Sequence, residues 1–245
     1  MKQSRFSFLW VLLSVWAGTA HAQNADALAV AIASNDSAKA QAALAAGVDI
    51  NANLGEGRTA IITAVMMAKP DMVRFLLAHG ADPNRQADDG AIGNALSAAF
   101  FASPGMAITR RGDEDFIQER RGPALECLKL VAAAKPNFDV LVSRGPTRLS
   151  PLMIAAEAGV PDAVKILLEA GASPNFVNGG KYSALDYAVD RAPRFAEIPE
   201  ANRAEVVQLL LAAGAQKNKK GADGLTPLDR ARKAGSQWAI EALTR

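Results

Sequence analysis

Residues Ser150 to Asn175, SPLMIAAEAGVPDAVKILLEAGASPN, contain the pattern on which the fold prediction rests. It opens on a polar turn residue, Ser150, of the type that caps a helix, and continues as a short apolar segment. A corner of Gly, Val and Pro at 159–161 separates this segment from a second apolar one, which stops at Gly171. The pattern predicts two short helices joined by a tight turn.

The same plan recurs along most of the chain. Residues equivalent to Gly171 are spaced at intervals of 33, 55, 36 and 43, with a lysine at one position: Gly47, Gly80, Lys135, Gly171 and Gly214. The polar residues that open each first helix are spaced at 35, 56, 33 and 43: Thr59, Asn94, Ser150, Ser183 and Thr226. The two series agree on a unit of about 33 residues with insertions, which predicts a stack of helical repeats.

These phrases resemble ankyrin repeats. RTAIITAV, LSPLMIAAEAG, YSALDYAV and LTPLDRARKAG are similar to the T-P-L-H-x-A-A opening of that family, and LLAHGADPN, LLEAGASPN and LLAAGAQKN are similar to its closing phrase. The resemblance covers about residues 25 to 245 and implies an all-α solenoid of about six helix-turn-helix repeats with short β-turn fingers. The family histidine, which usually makes hydrogen bonds between repeats, is replaced at five positions: Ile62, Ser97, Met153, Asp186 and Asp229.

The repeats have predicted boundaries and two insertions. We place the repeats at 25–56, 57–89, 90–147, 148–179, 180–222 and 223–245. Residues 103–122 are an insertion in repeat three, and residues 191–199 are one in repeat five. Both fall at the joint between the two helices of a repeat, so we expect them on one edge of the stack. Pro123 and Pro199 are predicted to begin the second helices of these repeats.

Residues 1–22 have the features of a cleavable signal peptide. Lys2 and Arg5 precede an apolar run over 6–17, and Ala-His-Ala at 20–22 provides an A-x-A cleavage site. This apolar run is shorter than a membrane-spanning helix, which needs about 20 residues. We therefore expect a mature domain over 23–245 in the periplasm of a Gram-negative bacterium, or secreted as the alternative.

Charge and composition argue against several classes of function. The chain has 27 Lys and Arg against 25 Asp and Glu, and removing Lys2 and Arg5 leaves 25 against 25, so nucleic acid is not an expected partner. Cys127 is the only cysteine, and His79 the only histidine after residue 22. One cysteine and one histidine, far apart in the sequence, are a poor basis for a Cys-His nucleophile pair and too few for a zinc site built from several such ligands. The sequence also contains no dinucleotide-binding fingerprint. We predict no catalytic, cofactor or metal site, and an enzyme that uses carboxylates is the least favoured alternative.

The resemblance implies recognition of a protein by the fingers and first helices. We expect a monomeric, non-catalytic periplasmic scaffold that binds an envelope or secreted protein and protects against oxidants or toxins. The alternative is association with a membrane surface through the insertion of repeat three. The predicted partner-binding residues are arginines and aromatic or apolar residues, which are common at binding hot spots: Arg58, Arg85, Phe100, Phe101, Arg110, Arg111, Phe116, Ile117, Arg120, Arg121, Arg148, Phe176, Tyr182, Arg191, Arg194 and Phe195.

The apolar pair Phe116 and Ile117 allows two interpretations. It lies between two pairs of arginines, at 110–111 and 120–121, as an interface anchor with a polar rim would. The same pair could instead pack on Phe100 and Phe101 and extend the core.

Overall fold

The computed structural model describes residues 26–54, 57–88, 92–100, 114–144, 147–189 and 198–244, with the side chains of 114–120 and 144 excepted. The predicted signal peptide lies outside the described residues. So do the first part of the repeat-three insertion, to residue 113, and residues 191–197 of the repeat-five insertion.

The described residues form six successive pairs of helices. The first helices of the pairs are α1 (26–34), α3 (Ala60–Met66), α5 (Ala95–Ala98), α7 (Pro151–Glu157), α9 (Ala184–Val189) and α11 (Pro227–Lys233). The second helices are α2 (Ser37–Ala45), α4 (Pro70–Ala78), α6 (Glu114–Ala133), α8 (Pro161–Ala170), α10 (Glu200–Ala212) and α12 (Gln237–Thr244). A two-stranded hairpin of β1 (Val142–Arg144) and β2 (Thr147–Leu149) precedes the fourth pair.

Each repeat packs on its neighbours. First helices contact first helices, as α9 contacts α7, and second helices contact second helices, as α8 contacts both α6 and α10. The core is made of small and branched apolar residues such as Ile61, Leu96, Leu128 and Leu167, which are fully buried. This stacking is the arrangement of an ankyrin-repeat solenoid, so the predicted fold is confirmed.

Three of the five polar residues predicted to open first helices, Asn94, Ser150 and Thr226, accept a capping hydrogen bond through their side chains, whereas Thr59 does not. The Ser150 hydroxyl accepts a hydrogen bond from the Met153 backbone N–H at 3.4 Å. In the last repeat the Thr226 hydroxyl accepts from the Asp229 N–H at 3.2 Å, while an Asp229 carboxylate oxygen accepts from the Thr226 N–H at 3.0 Å. These reciprocal bonds satisfy N–H groups that have no partner inside the helix.

The second helices end in a left-handed residue. Gly171 has a φ of 109° after α8, and Lys135 has a φ of 50° after α6. Lys135 is therefore the counterpart of Gly171, as the spacing predicted, although a side chain is strained in this conformation. The corner between paired helices repeats this feature, since φ is 61° at Gly159 and 50° at Ala68.

The two prolines predicted to begin second helices differ in outcome. Pro199 immediately precedes α10, which has 13 residues against 9 in α4 and 10 in α8, so that prediction is confirmed. The prediction for Pro123 is wrong, because α6 begins at Glu114 and contains Pro123. The preceding segment is rich in the helix-forming residues Glu, Gln and Arg, so the helix continues through the proline despite the lost backbone hydrogen bond and the clash of its ring with the carbonyl four residues earlier. Residues 114–122 of the insertion are consequently helical.

Candidate protein-interaction surface

The loops between the second helix of one repeat and the first helix of the next carry the turn fingers, and we call the fingers together the finger ledge. One of them is the β1–β2 hairpin, in which Val142 pairs with Leu149. Neighbouring fingers are joined by backbone hydrogen bonds, from the Asp88 N–H to the Gly57 carbonyl at 2.8 Å and from the Ala222 N–H to the Gly180 carbonyl at 3.0 Å. The spacing between these fingers is thereby fixed by the main chain.

Asn178 joins the fingers of repeats four and five. Its amide nitrogen donates to the Arg148 carbonyl at 3.2 Å and to the Tyr187 hydroxyl at 2.7 Å. Its amide oxygen accepts from the Gly180 and Tyr182 N–H groups at 3.0 and 3.2 Å. The side chain is buried, and burial also raises the pKa of the Tyr187 hydroxyl, which remains neutral and able to hydrogen bond.

Arg230 joins the last repeat to repeat five. Its Nε donates to Oδ1 of Asp186 at 3.1 Å, a terminal nitrogen donates to Asp223, and the guanidinium carbon lies 4.5 Å from the centre of the Tyr182 ring. Burial alone would raise the pKa of the Asp223 carboxyl, but the hydrogen bonds from Arg230 and from the Leu225 N–H prevail and lower it. Asp186 occupies a position where the family histidine is replaced, and it makes an inter-repeat bond.

A row of asparagines ties together the loops that follow the second helices. Oδ1 of Asn51 accepts from the Asp82 N–H at 2.7 Å, one repeat further along. Asn175 accepts from the Gln216 N–H and donates to the Gly214 carbonyl, both at 2.9 Å. We call these bonds the asparagine ladder.

Both modified repeats contact the corner of repeat four. Arg121 in α6 lies 4.0 Å from the Asp162 carboxylate, at the start of α8. From the other side, Ile198 packs on Gly159 so closely that a Cβ there would lie 2.4 Å from its Cγ2 atom. These two contacts agree with the expected placement of the insertions beside one unmodified repeat.

The structure excludes one predicted partner-binding residue and partly buries another. Phe100 is fully buried, so the prediction that it contacts a partner is wrong; its large apolar side chain belongs to the core. Tyr182 is partly buried, with its ring against Gly180 and Gly221 and beneath Arg230. Its ring therefore joins two fingers, and its role in partner binding stays a prediction.

The remaining predicted residues fall into three groups. Arg85 and Arg148 are exposed, while Arg58, Arg121 and Phe176 are partly buried. Phe116, Ile117 and Arg120 lie in α6, where the structure does not describe their side chains, so both interpretations of the apolar pair remain open. The following lie outside the described residues and remain predictions: Phe101, Arg110, Arg111, Arg191, Arg194 and Phe195.

Sequence reasoning missed the part played by Arg230. Aligning the repeats could have predicted this ion pair. Asp186 is the third residue of its helix, and Arg230 is the fourth residue of the first helix in the next repeat. Opposite charges at nearby positions of two stacked helices attract each other and favour an ion pair.

The single cysteine and the histidine have structural surroundings. Cys127 is buried in α6, and burial raises the pKa of its thiol to about 12, which keeps it neutral. Nδ1 of His79 lies 2.8 Å from the Phe75 carbonyl, and the ring stacks on Phe75 at 4.0 Å.

In the part of the chain that the structure describes, no group of three or more possible metal ligands occurs, and no helix is both long and apolar enough to cross a membrane.

The chain is similar to known repeat proteins. The family model for ankyrin repeats in three copies matches residues 5–87, and that for a single ankyrin repeat matches 148–179. The chain is 30% identical over 200 residues to the B-cell lymphoma 3 protein homolog of Mus musculus, covering 81% of this chain but only 37% of that protein. It is also 30% identical over 192 residues to the putative ankyrin repeat protein YahD of Escherichia coli K12, covering 72% of this chain and 90% of YahD.

Solved structures agree with the fold. An ankyrin repeat domain from Acinetobacter baumannii superposes with a TM-score of 0.66 at 24% identity, covering 89% of this chain and 95% of that one. A complex of a predatory endopeptidase from Bdellovibrio bacteriovorus with an immunity protein contains a chain that superposes with a TM-score of 0.60 at 24% identity, covering 89% and 96%. The chain therefore belongs to the ankyrin-repeat family, whose repeats are scaffolds for protein–protein interaction.

Proposed function

We propose that this chain is a non-catalytic scaffold of the bacterial periplasm that binds an envelope or secreted protein through its finger ledge. The observation that carries the proposal is the ledge itself. Its fingers are joined by backbone and side-chain hydrogen bonds, and they present the exposed side chains of Arg85, Asp88, Arg148 and Lys181. A surface fixed before binding loses little conformational entropy when a partner docks.

Protection of the cell is the form of this function that we favour. The complex from Bdellovibrio bacteriovorus contains a predatory endopeptidase and an immunity protein, and one of its chains shares this fold. By analogy of fold, we propose that this chain binds a secreted enzyme or toxin and blocks it, with protection against oxidants as a second form. The signal-peptide features of residues 1–22 support a place of action outside the cytoplasm.

Membrane-surface association is the second candidate function. It rests on the sequence of the repeat-three insertion, in which apolar residues alternate with pairs of arginines. Flotation of the purified chain with anionic lipid vesicles tests it, and a chain that remains at the bottom of the gradient contradicts it. An enzyme using carboxylates remains the least favoured proposal.

The proposed function is tested by capture from a periplasmic extract of the native host. The variant Arg85→Glu/Arg148→Glu reverses two finger charges, and Lys129→Glu/Lys165→Glu reverses two exposed charges on α6 and α8 as the matched control. We expect a protein retained by the wild type and the control but lost with the finger variant. Equal retention by all three contradicts binding through the ledge, provided that circular dichroism shows each variant folded.

Export is tested separately by the location and N-terminal sequence of the chain in its native host. We expect a mature N-terminus at or near Gln23 in the periplasmic fraction. Recovery of only the full-length chain from the cytosol would contradict a periplasmic role.

A further inference from the structure

Positive charge is concentrated where repeat five meets the last repeat. The whole sequence is close to neutral, with 27 basic and 25 acidic residues. Residues 217–233 nevertheless contain six Lys and Arg and two Asp, a difference of +4 across one loop, the finger that follows it and one short helix. A local excess of one sign creates a field that the overall charge does not reveal.

Part of this charge is already used inside the protein. Arg230 pairs with Asp186 and Asp223. Lys217 Nζ donates to the Leu243 carbonyl at 3.3 Å, near the end of α12. These two residues therefore hold the last repeat in place.

The remaining positive charges form a surface that we call the basic patch, made of Lys219, Lys220, Arg232 and Lys233. No ion pair within the described residues joins any of them to an acidic side chain, and Lys220, Arg232 and Lys233 are exposed. The Gly221 N–H donates to the Leu225 carbonyl at 3.0 Å, which brings Lys220 close to Thr226 and to the Asp229 carboxylate that accepts from the Thr226 N–H. Arg232 lies three residues after Asp229 on the same helix, and both cations also help to lower the pKa of the Asp229 carboxyl, after the larger effect of its hydrogen bonds to Thr226.

The helix dipole accounts for the positions of only two of the four residues in the basic patch. Arg232 and Lys233 lie in the last turn of α11, where positive charge is favoured by the helix dipole. Lys219 and Lys220 lie in the loop before the finger that begins at Gly221, outside any helix. Lys219 and Lys220 therefore border a finger, and the proposed function places partner binding on the fingers.

We infer that the basic patch docks an acidic, Asp- and Glu-rich segment of the partner protein; this rests on the proposed function and specifies the partner's chemistry. A protein segment fits better than a phosphate array, because the patch is interrupted by Asp229 and bordered by Asp223, whose carboxylates would repel closely spaced phosphates. A peptide can place its carboxylates beside the four cations and an uncharged residue beside each aspartate. Such complementarity raises the association rate and selects the partner.

The test uses a fluorescent peptide rich in Asp and Glu and a peptide in which Asn and Gln replace them. Anisotropy is measured with the full mature chain, with Lys220→Glu/Arg232→Glu, and with the control Lys129→Glu/Lys165→Glu. We expect the acidic peptide to bind the wild type and the control equally, and the patch variant about tenfold or more weakly. Binding should weaken with added salt, and the amide peptide should not bind.

Three outcomes would overturn the inference. One is equal binding of the acidic peptide to the patch variant and the control. Another is failure of the conservative variant Lys220→Arg/Arg232→Lys to retain binding, since it preserves both charges. The third is tighter binding of a DNA duplex or an anionic vesicle than of the acidic peptide, which would assign the patch to phosphate.

The periplasmic capture experiment separates this inference from the proposed function. Loss of a captured protein in the finger variant, with full retention in the patch variant, rejects the acidic-segment inference and leaves the scaffold proposal standing. Retention in every variant rejects both.

Discussion

Nε of Arg230 lies 3.1 Å from Oδ1 of Asp186, in an ion pair whose side chains are only 14% and 7% exposed. We expect Arg230→Met to lower the free energy of unfolding by about 2 to 3 kcal/mol, because a mostly buried carboxylate then loses its charged partner but keeps its bonds to Ser183. The control Arg232→Met, on the same helix but exposed, should stay within about 0.5 kcal/mol of the wild type. Urea unfolding measures both, and equal losses would show that the pair does not stabilise the last repeat.

Leu167 and Leu168 are adjacent but differ in burial. Leu167 is fully buried, whereas Leu168 is only partly buried. We expect Leu167→Ala to lower the free energy of unfolding by about 2 to 5 kcal/mol through lost contacts and a cavity, and Leu168→Ala to have a smaller effect. If both variants unfold at the same temperature as the wild type, the repeat alignment that places Leu167 in the core is wrong.

Ala68 adopts a left-handed conformation, with a φ of 50°, at the corner between α3 and α4. Ala68→Gly should raise the free energy of unfolding by about 0.5 to 1 kcal/mol, because glycine adopts this conformation without a Cβ clash. The control Ala42→Gly, within α2 and exposed, should instead lower it by about 1 kcal/mol. Denaturant unfolding that gives the same sign for both changes would contradict the argument.

Burial of Cys127 should make the free energy of unfolding depend on pH. Burial raises the pKa of its thiol from 9.0 to about 12, so folding favours the neutral form. The stabilisation from the neutral thiol is fully present below about pH 9 and is lost as the pH rises towards 12. Cys127→Val should lose stability less steeply over this range, in unfolding measured at several pH values. Parallel curves for the two proteins would contradict a buried thiol.

The sequence allowed the repeat period to be predicted because each helix pair carries its own cap and stop. Lys135 could be assigned to a glycine position from spacing alone, and its backbone has the expected conformation. Pro123 was misplaced because a local rule about proline does not weigh the helix-forming residues before it. Phe100 and Arg230 were misjudged for another reason: burial and ion pairing depend on the next repeat, and periodicity does not show which side chain meets which across the stack.

The asparagine ladder also determines how the protein would respond to mechanical force. The bonds of Asn51 and Asn175 each join one repeat to the next, and none of the bonds described for them spans more than one interface. A pull on the two ends of the stack would load the repeat interfaces in series, and the ladder bonds strengthen the two interfaces that they cross. The weakest interface would therefore yield first, and the chain would lengthen by one helix pair at a time.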